Sequence, residues 1–161
     1  MIQYFSHVDL HSFCVSIFKK IGYDSELAKQ ASDVLLSADL RGVDSHGVAR
    51  LSGYVRLWEV KRILVEVRPS IIHETPSTAV VDGGSGLGLV VAPYSMKLAI
   101  EKALTVGSGW VSVQNSSHFG IAGIHAMMAL PYDMIGIAMT NASPIVAPTF
   151  SSSRMLGTNP I

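Results

Sequence analysis

This chain of 161 residues has a single cysteine, a net charge of zero and no long apolar run. The single cysteine excludes an internal disulfide framework and, with no recognisable targeting signal, predicts a reducing cytoplasm. Twelve basic and twelve acidic residues cancel, so the basic surface typical of nucleic-acid or anionic-membrane binding is missing. No segment reaches the ~20 apolar residues of a membrane-spanning helix. We therefore expect neither a nucleic acid nor a membrane as a partner.

Two familiar site patterns are also missing. His7 and His11 have the i, i+4 spacing of a metal pair, but no third ligand is suggested nearby, so the sequence predicts no metal site. The glycine-rich segment at 83–88 follows a predicted strand and opens a predicted helix, yet its spacing is not Gly-x-Gly-x-x-Gly. We interpret 82–88 as a tight turn that packs a helix closely on a sheet, and we assign no cofactor to it.

The hydrophobic pattern predicts an α/β fold that begins with helices. With 48% apolar and 15% charged residues, the chain can bury a substantial core. Helical periodicity covers 9–20, a second segment capped by Asp24 that ends near residue 40, and 46–60; an extended connector follows at 61–70. Beyond residue 77, strands at 78–81, 109–114 and 134–140 alternate with helices at 89–106 and 120–130. The sequence predicts an N-terminal helical part, 1–70, and an α/β part, 71–161.

Polar groups at steps of four residues mark the third predicted helix. His46, Arg50 and Tyr54 would share one helix face, which offers a proton-transfer group, a cation shaped for a carboxylate and a hydroxyl. Asp44 or Ser45 would cap this helix, and its positively polarised end favours an anion. The same spacing also arises on the solvent face of an ordinary amphipathic helix, so the pattern alone leaves both interpretations open.

A second histidine lies where a predicted strand ends. His118 follows the apolar strand at 109–114, and ligands of α/β sheets gather at the carboxyl ends of strands. Such a histidine is either a structural residue or an acid/base group, and its place in a loop at the sheet end favours the second. His118 is the best acid/base candidate by position.

Three ordered motifs carry a family resemblance. They are Ala-Asp-Leu-Arg-Gly-Val-Asp-Ser-His-Gly-Val-Ala-Arg-Leu at 38–51, Asn-Ser-Ser-His-Phe-Gly-Ile-Ala-Gly at 115–123, and Thr-Asn-Ala-Ser-Pro with Leu-Gly-Thr-Asn-Pro-Ile at 140–161. Together they resemble the malate/L-lactate dehydrogenase family, over nearly the whole chain. That family uses NAD or NADP on a fold that is not Rossmann, which agrees with the missing fingerprint.

The resemblance implies roles for individual residues. Two histidines match the proposed proton donor or acceptor: His46 and His118. Three residues match positions that face the substrate: Ser45, Arg50 and Tyr54. Three consecutive residues match a loop beside the nicotinamide: Asn141, Ala142 and Ser143.

The implied reaction moves a hydride between C2 of a small 2-hydroxy acid, of malate or L-lactate type, and the nicotinamide. A histidine removes the hydroxyl proton, because its unperturbed pKa of ~6.5 suits transfer in both directions near neutral pH. Arg50 would hold the carboxylate. The resemblance does not decide which histidine acts; we favour His118 as the base.

Relatives are expected to be homodimers and to continue well beyond residue 161, where most of their cofactor contacts lie. The α/β part is therefore incomplete relative to the family. The alternative hypothesis is a catalytically inactive fragment that acts only as a dimerising or interaction module. Motif residues retained by descent would look the same in either case.

Overall fold

Three α-helices precede the first strand, as the sequence predicts. They are α1 (His7–Lys20), α2 (Ser25–Asp39) and α3 (Leu51–Glu59) in this computed structural model, which describes residues 4–161. Asp24 caps α2 as expected, since its Oδ1 accepts hydrogen bonds from the amides of Glu26 and Leu27 at 3.0 and 2.9 Å. The apolar faces of α1 and α2 pack together around the fully buried Phe18 and Leu35.

A mixed three-stranded sheet follows, in the order β1 (Ser70–Glu74), β2 (Thr78–Gly86) and β3 (Trp110–Ser116). β1 and β2 are antiparallel neighbours, whereas β2 and β3 are parallel and are joined through α4 (Gly88–Val106). A parallel pair needs such a crossover, and the helix covers the sheet with its apolar side. The predicted helical start and the predicted strand–helix–strand order from residue 78 to residue 114 are confirmed.

Two local predictions in this region are wrong. β1 falls where the sequence analysis placed no strand, although its β-branched pair Ile71–Ile72 is a strand signal. The segment 82–88 is not a tight turn, because β2 continues through it to Gly86 with an irregular register between Asp82 and Gly86. Glycines tolerate this irregular backbone, and Gly84 has a φ of 57°.

One buried charge ties the edge strand to the helix. The Lys102 side chain of α4 is largely buried, and its Nζ donates to Glu74 Oε2 at 3.0 Å and to the Thr75 carbonyl at 2.8 Å. Both acceptors lie at the end of β1 or just beyond it. The pairing satisfies an ammonium group that burial would otherwise penalise.

The chain forms two compact units, one that reaches to Ile121 and a second, Ala122–Ile161. The second unit contains α5 (Ala122–Met127), which is shorter than the helix predicted at 120–130. Within residues 4–161, the segment predicted as a strand at 134–140 does not pair with another strand and forms none. The predicted division near residue 70 stays a prediction. Across residues 4–161, no helix has the length and apolar character needed to cross a membrane.

The Asp24 cap should be measurable as stability. We expect Asp24→Ala to lower the free energy of unfolding by about 1 kcal/mol, because two amides of the first turn lose their acceptor. Asp24→Asn keeps the acceptor and loses only an exposed ion pair with Arg68, so it should cost much less. Urea denaturation measures both; equal losses would contradict capping as the cause.

Candidate active site

The segment that carries Ser45 and His46 is not the start of one long helix. Two single 3₁₀ turns, Asp44–His46 and Val48–Arg50, precede α3, so the predicted helix at 46–60 is wrong in its first five residues. The predicted cap is also wrong: neither 3₁₀ turn has a side-chain cap, and Arg50 occupies the N-cap position of α3. The common helical face of residues 46, 50 and 54 therefore does not exist.

Asp39 causes this break. Its Oδ2 accepts a hydrogen bond from the Val48 amide at 2.8 Å, and its carboxylate lies directly against Gly47. A Cβ atom at position 47 would overlap that carboxylate. Gly47, with a φ of −89° and a ψ of −145°, separates the two 3₁₀ turns. Asp39 is not among the predicted site residues, and its only signal in the sequence is its place in the first motif.

Tertiary structure brings His46 and Tyr54 together at His118. The Tyr54 hydroxyl lies 2.8 Å from His118 Nδ1, and the His46 and His118 rings have centroids 5.3 Å apart. Tyr54 is buried, whereas His118 keeps an accessible side. The predicted site residues of the first and second motifs thus meet, although by a different geometry from the predicted helix stripe.

Ser45 contacts both His46 and Arg50. Its Oγ is 2.9 Å from His46 Nδ1, and its carbonyl accepts a hydrogen bond from Arg50 Nε at 2.6 Å. Arg50 is exposed and forms no ion pair with any carboxylate of residues 4–161. The hydrogen bond to the Ser45 carbonyl orients one edge of the guanidinium. The other donors remain available to bind an anion through two hydrogen bonds.

Glycines place the loop that bears His118. The Gly88 amide donates to Ser117 Oγ at 3.0 Å, and that hydroxyl donates to the Gly86 carbonyl at 3.2 Å. A Cβ atom at Gly88 would overlap the carbonyl oxygens of Ser117 and His118. The glycine-rich segment therefore allows close backbone packing. It brings the end of β2 and the start of α4 against the loop that carries His118.

Asp82 fastens the same end of the sheet. Its Oδ1 accepts from the Gly84 amide at 2.7 Å, and its Oδ2 accepts from Asn115 Nδ2 at 2.9 Å and Gln114 Nε2 at 3.2 Å. These hydrogen bonds, led by the one from Gly84, lower the pKa of Asp82. Asp82 joins β2 to the end of β3 two residues before Ser117. Sequence reasoning missed this role, although Asp82 directly follows the predicted strand.

Electrostatics keep the two imidazoles neutral. Desolvation, and then the positive charges of Arg50 and of His46 when protonated, lower the pKa of His118 to about 4. Desolvation followed by Arg50 also lowers the pKa of His46, and burial raises that of Tyr54. The cluster at neutral pH thus combines one permanent cation with two uncharged imidazoles and a neutral phenol. This set of groups can bind an anion and exchange a proton with it.

The second unit brings the two halves of the third motif together. The Ala142 amide donates to Asn159 Oδ1 at 3.1 Å, and a Cβ atom at Gly157 would overlap the Ala142 carbonyl oxygen. Val146 and Leu156 form a β-bridge between the same segments. Asn141 and Ser143, on either side of Ala142, are exposed.

The histidine pair near the N-terminus is engaged elsewhere. His11 Nε2 lies 2.8 Å from Asp33 Oδ1, and the His7 and His11 ring centroids are 6.0 Å apart. In the described part of the chain, no three histidine, cysteine or acidic side chains gather as metal ligands would.

Comparisons with known proteins agree with the motif resemblance. A family model described as malate/L-lactate dehydrogenase matches residues 5–161. Malate dehydrogenase of Pyrococcus abyssi is 52% identical over 153 residues, which cover 95% of this chain and 42% of that protein. L-Sulfolactate dehydrogenase of Methanocaldococcus jannaschii is 44% identical over 147 residues, covering 91% and 43%.

Solved structures show the same likeness. The structure of malate dehydrogenase from Pyrococcus horikoshii OT3 superposes with a TM-score of 0.92 at 49% identity, over 95% of this chain and 44% of that one. This agreement confirms the predicted α/β fold class. The chain spans less than half the length of the relatives it matches.

The close approach at Gly88 predicts a costly substitution. We expect Gly88→Ala to lower the free energy of unfolding by about 1–3 kcal/mol, because the new methyl group forces the backbone of Ser117 and His118 away. Gly53→Ala is the matched control: nothing lies within 4 Å of its Cβ position in α3, so it should stabilise by roughly 0.5–1 kcal/mol. Similar effects of both substitutions in urea denaturation would refute the steric argument.

Stability should depend on pH through His118. Folding lowers the pKa of His118 from about 6.5 to about 4. Between these two pH values the imidazole is protonated in the unfolded chain and neutral in the folded chain. We expect the free energy of unfolding to decrease as pH falls from about 6.5 to about 4, and His118→Gln to weaken that dependence. His73→Gln, at an exposed histidine of β1, serves as control. Denaturation at several pH values measures both, and an unchanged dependence in His118→Gln would contradict the assignment.

Proposed function

The chain belongs to the malate/L-lactate dehydrogenase family, and we propose that it carries the substrate-binding and proton-transfer groups of a nicotinamide-dependent 2-hydroxy-acid dehydrogenase. One observation supports this most directly. Arg50, which no carboxylate of residues 4–161 neutralises, stands beside the neutral imidazoles of His46 and His118. A 2-hydroxy or 2-oxo acid presents a carboxylate next to the oxygen that must gain or lose a proton, which matches that pairing.

Each residue then has a defined task. Arg50 binds the substrate carboxylate through its free guanidinium donors, and Ser45 orients both Arg50 and His46. The histidine pair contacts the substrate oxygen and handles its proton, while Tyr54 supports His118. For Arg50 and the two histidines these are the roles expected from the motifs, whereas Ser45 and Tyr54, expected to face the substrate, act here through the residues they contact.

A nicotinamide, NAD or NADP, supplies or accepts the hydride when bound. Asn141, Ala142 and Ser143 would hold it: the exposed amide and hydroxyl side chains fit the donor and acceptor of a carboxamide. The hydrogen bond from the Ala142 amide to Asn159 Oδ1 connects this segment to the end of the third motif. The fit supports the assignment of these residues to the cofactor.

Three further properties of the active protein are expected. The substrate is a small acid of malate or L-lactate type, the active protein is a homodimer, and it works in the cytoplasm. The buried, unpaired Cys14 suits a reducing compartment. The many exposed apolar side chains, among them Phe150 and Ile161, suit self-association.

The alternative is a non-catalytic fragment that serves as a dimerising or interaction module. The observation in its favour is the length of the chain, less than half that of the relatives. In that case the substrate groups are present, but the chain does not turn over nucleotide. Nicotinamide fluorescence of the chain with NADH or NADPH, followed by addition of pyruvate or oxaloacetate, separates the two: oxidation supports the enzyme, and its absence in a folded sample supports the module.

Arg50 provides a test that does not require turnover. We expect L-malate to raise the pKa values of His46 and His118, because its carboxylate offsets the positive charge of Arg50. Arg50→Gln should weaken L-malate binding by about ten- to hundredfold, the usual contribution of a charge-assisted bidentate contact. Arg56→Gln, an exposed arginine on α3, is the matched control and should bind normally. Histidine NMR titration measures binding, and equal affinity of Arg50→Gln and the unsubstituted chain would exclude Arg50 from the site.

A further inference from the structure

Two hydrogen-bond donors converge on a single nitrogen of His118. The Tyr54 hydroxyl lies 2.8 Å from His118 Nδ1, and the Gly120 amide nitrogen donates to the same atom at 3.3 Å. We infer that this pair locks His118 in the tautomer with its proton on Nε2, so that His118 acts on the substrate as a neutral hydrogen-bond donor and not as the base. The inference rests on the proposed function for its chemistry, but the tautomer itself is independent of it.

The two donors leave only one place for the ring proton of a neutral His118. A backbone amide can only donate, so its hydrogen bond to Nδ1 requires the lone pair of that nitrogen. A hydroxyl can donate or accept, and with Nδ1 unprotonated the Tyr54 hydroxyl must donate. A neutral imidazole carries one ring proton, which therefore resides on Nε2.

Neighbouring groups stabilise the same state. Gly120 is buried and has a φ of 83°, a backbone conformation that glycine adopts readily and in which its amide points at His118 Nδ1. The lowered pKa of His118 keeps its ring uncharged at neutral pH. A poorly basic imidazole is also a poor general base near pH 7.

His46 is not restricted in this way. Its Nδ1 partner is the Ser45 hydroxyl, at 2.9 Å, which serves equally as donor or acceptor. His46 can therefore hold its proton on either nitrogen and can exchange it. The two histidines divide the work: His118 donates a hydrogen bond to the substrate oxygen, and His46 remains the group able to accept its proton.

Tyr54 is, in this view, a positioning residue that acts through His118. Its hydroxyl is committed to Nδ1 and is buried at 3% exposure. A neutral histidine that polarises a carbonyl oxygen from its N–H is an established catalytic device. Tyr54 keeps that N–H on the nitrogen opposite to the phenol.

Nitrogen NMR of the 161-residue chain, with ¹⁵N-labelled histidine, reads the tautomer directly. We expect one histidine to show the pattern of an unprotonated Nδ1 and a protonated Nε2 at pH 7, and to stay neutral well below pH 6. His118→Gln should remove that signal and thereby assign it. A mixed tautomer, or a proton on Nδ1, at the assigned signal would overturn the inference.

Tyr54→Phe separates the lock from a merely structural role. Loss of the phenol donor removes a hydrogen bond that stabilises the neutral ring, so the pKa of His118 should rise by roughly half a unit to one unit. The population of the other tautomer should also increase. The charged groups that face His118, Arg50 and His46, are unchanged in this variant. Tyr94→Phe, on the exposed side of α4, is the control and should change neither quantity.

The outcomes separate this inference from the proposed function. A locked Nε2–H tautomer that Tyr54→Phe loosens supports the inference even if the chain neither binds L-malate nor oxidises NADH. An unchanged tautomer and pKa in a folded Tyr54→Phe sample overturn it even if the dehydrogenase activity is found.

Discussion

Close approach of another group to the backbone, possible only where a Cβ is missing, is the constraint on which the candidate site depends. Gly88 lets the start of α4 lie against the carbonyl oxygens of Ser117 and His118, and Gly47 lets the Asp39 carboxylate lie against the chain just after His46. Each contact positions one of the two histidines. The site is thus built from backbone proximity first, and the side chains that carry chemistry are placed by it.

The hydrogen bond between Tyr54 and His118 then joins two regions far apart in sequence. α3 supplies the phenol and the end of β3 supplies the imidazole. Partial desolvation of this cluster, together with the unneutralised Arg50, favours uncharged imidazoles. A cation beside neutral proton-transfer groups is an arrangement that an anionic substrate completes, since its negative charge relieves the repulsion that lowers both pKa values.

Sequence patterns predicted α1, α2, α4 and the crossover between β2 and β3 well, because these depend on local signals. Asp24 caps α2 as expected, and the apolar pattern places α4 and β3 almost at their observed bounds. The common helix face of His46, Arg50 and Tyr54 failed because a tertiary contact, Asp39 to the Val48 amide, interrupts the helix that the spacing predicts. β1 was missed because most of its stability comes from pairing with β2 and from Lys102, which the local sequence does not show.

The sequence by itself determined the fold class, the family motifs and the kinds of group available: imidazole, guanidinium and phenol at defined positions. These follow from periodicity, turn residues and motif order, all of which are local or cumulative along the chain. Only the tertiary structure decided which of those groups meet and which nitrogen of His118 faces a donor. That outcome depends on contacts between Tyr54, His118 and Gly120, and on distances set by glycine packing, which no pattern along a single chain encodes.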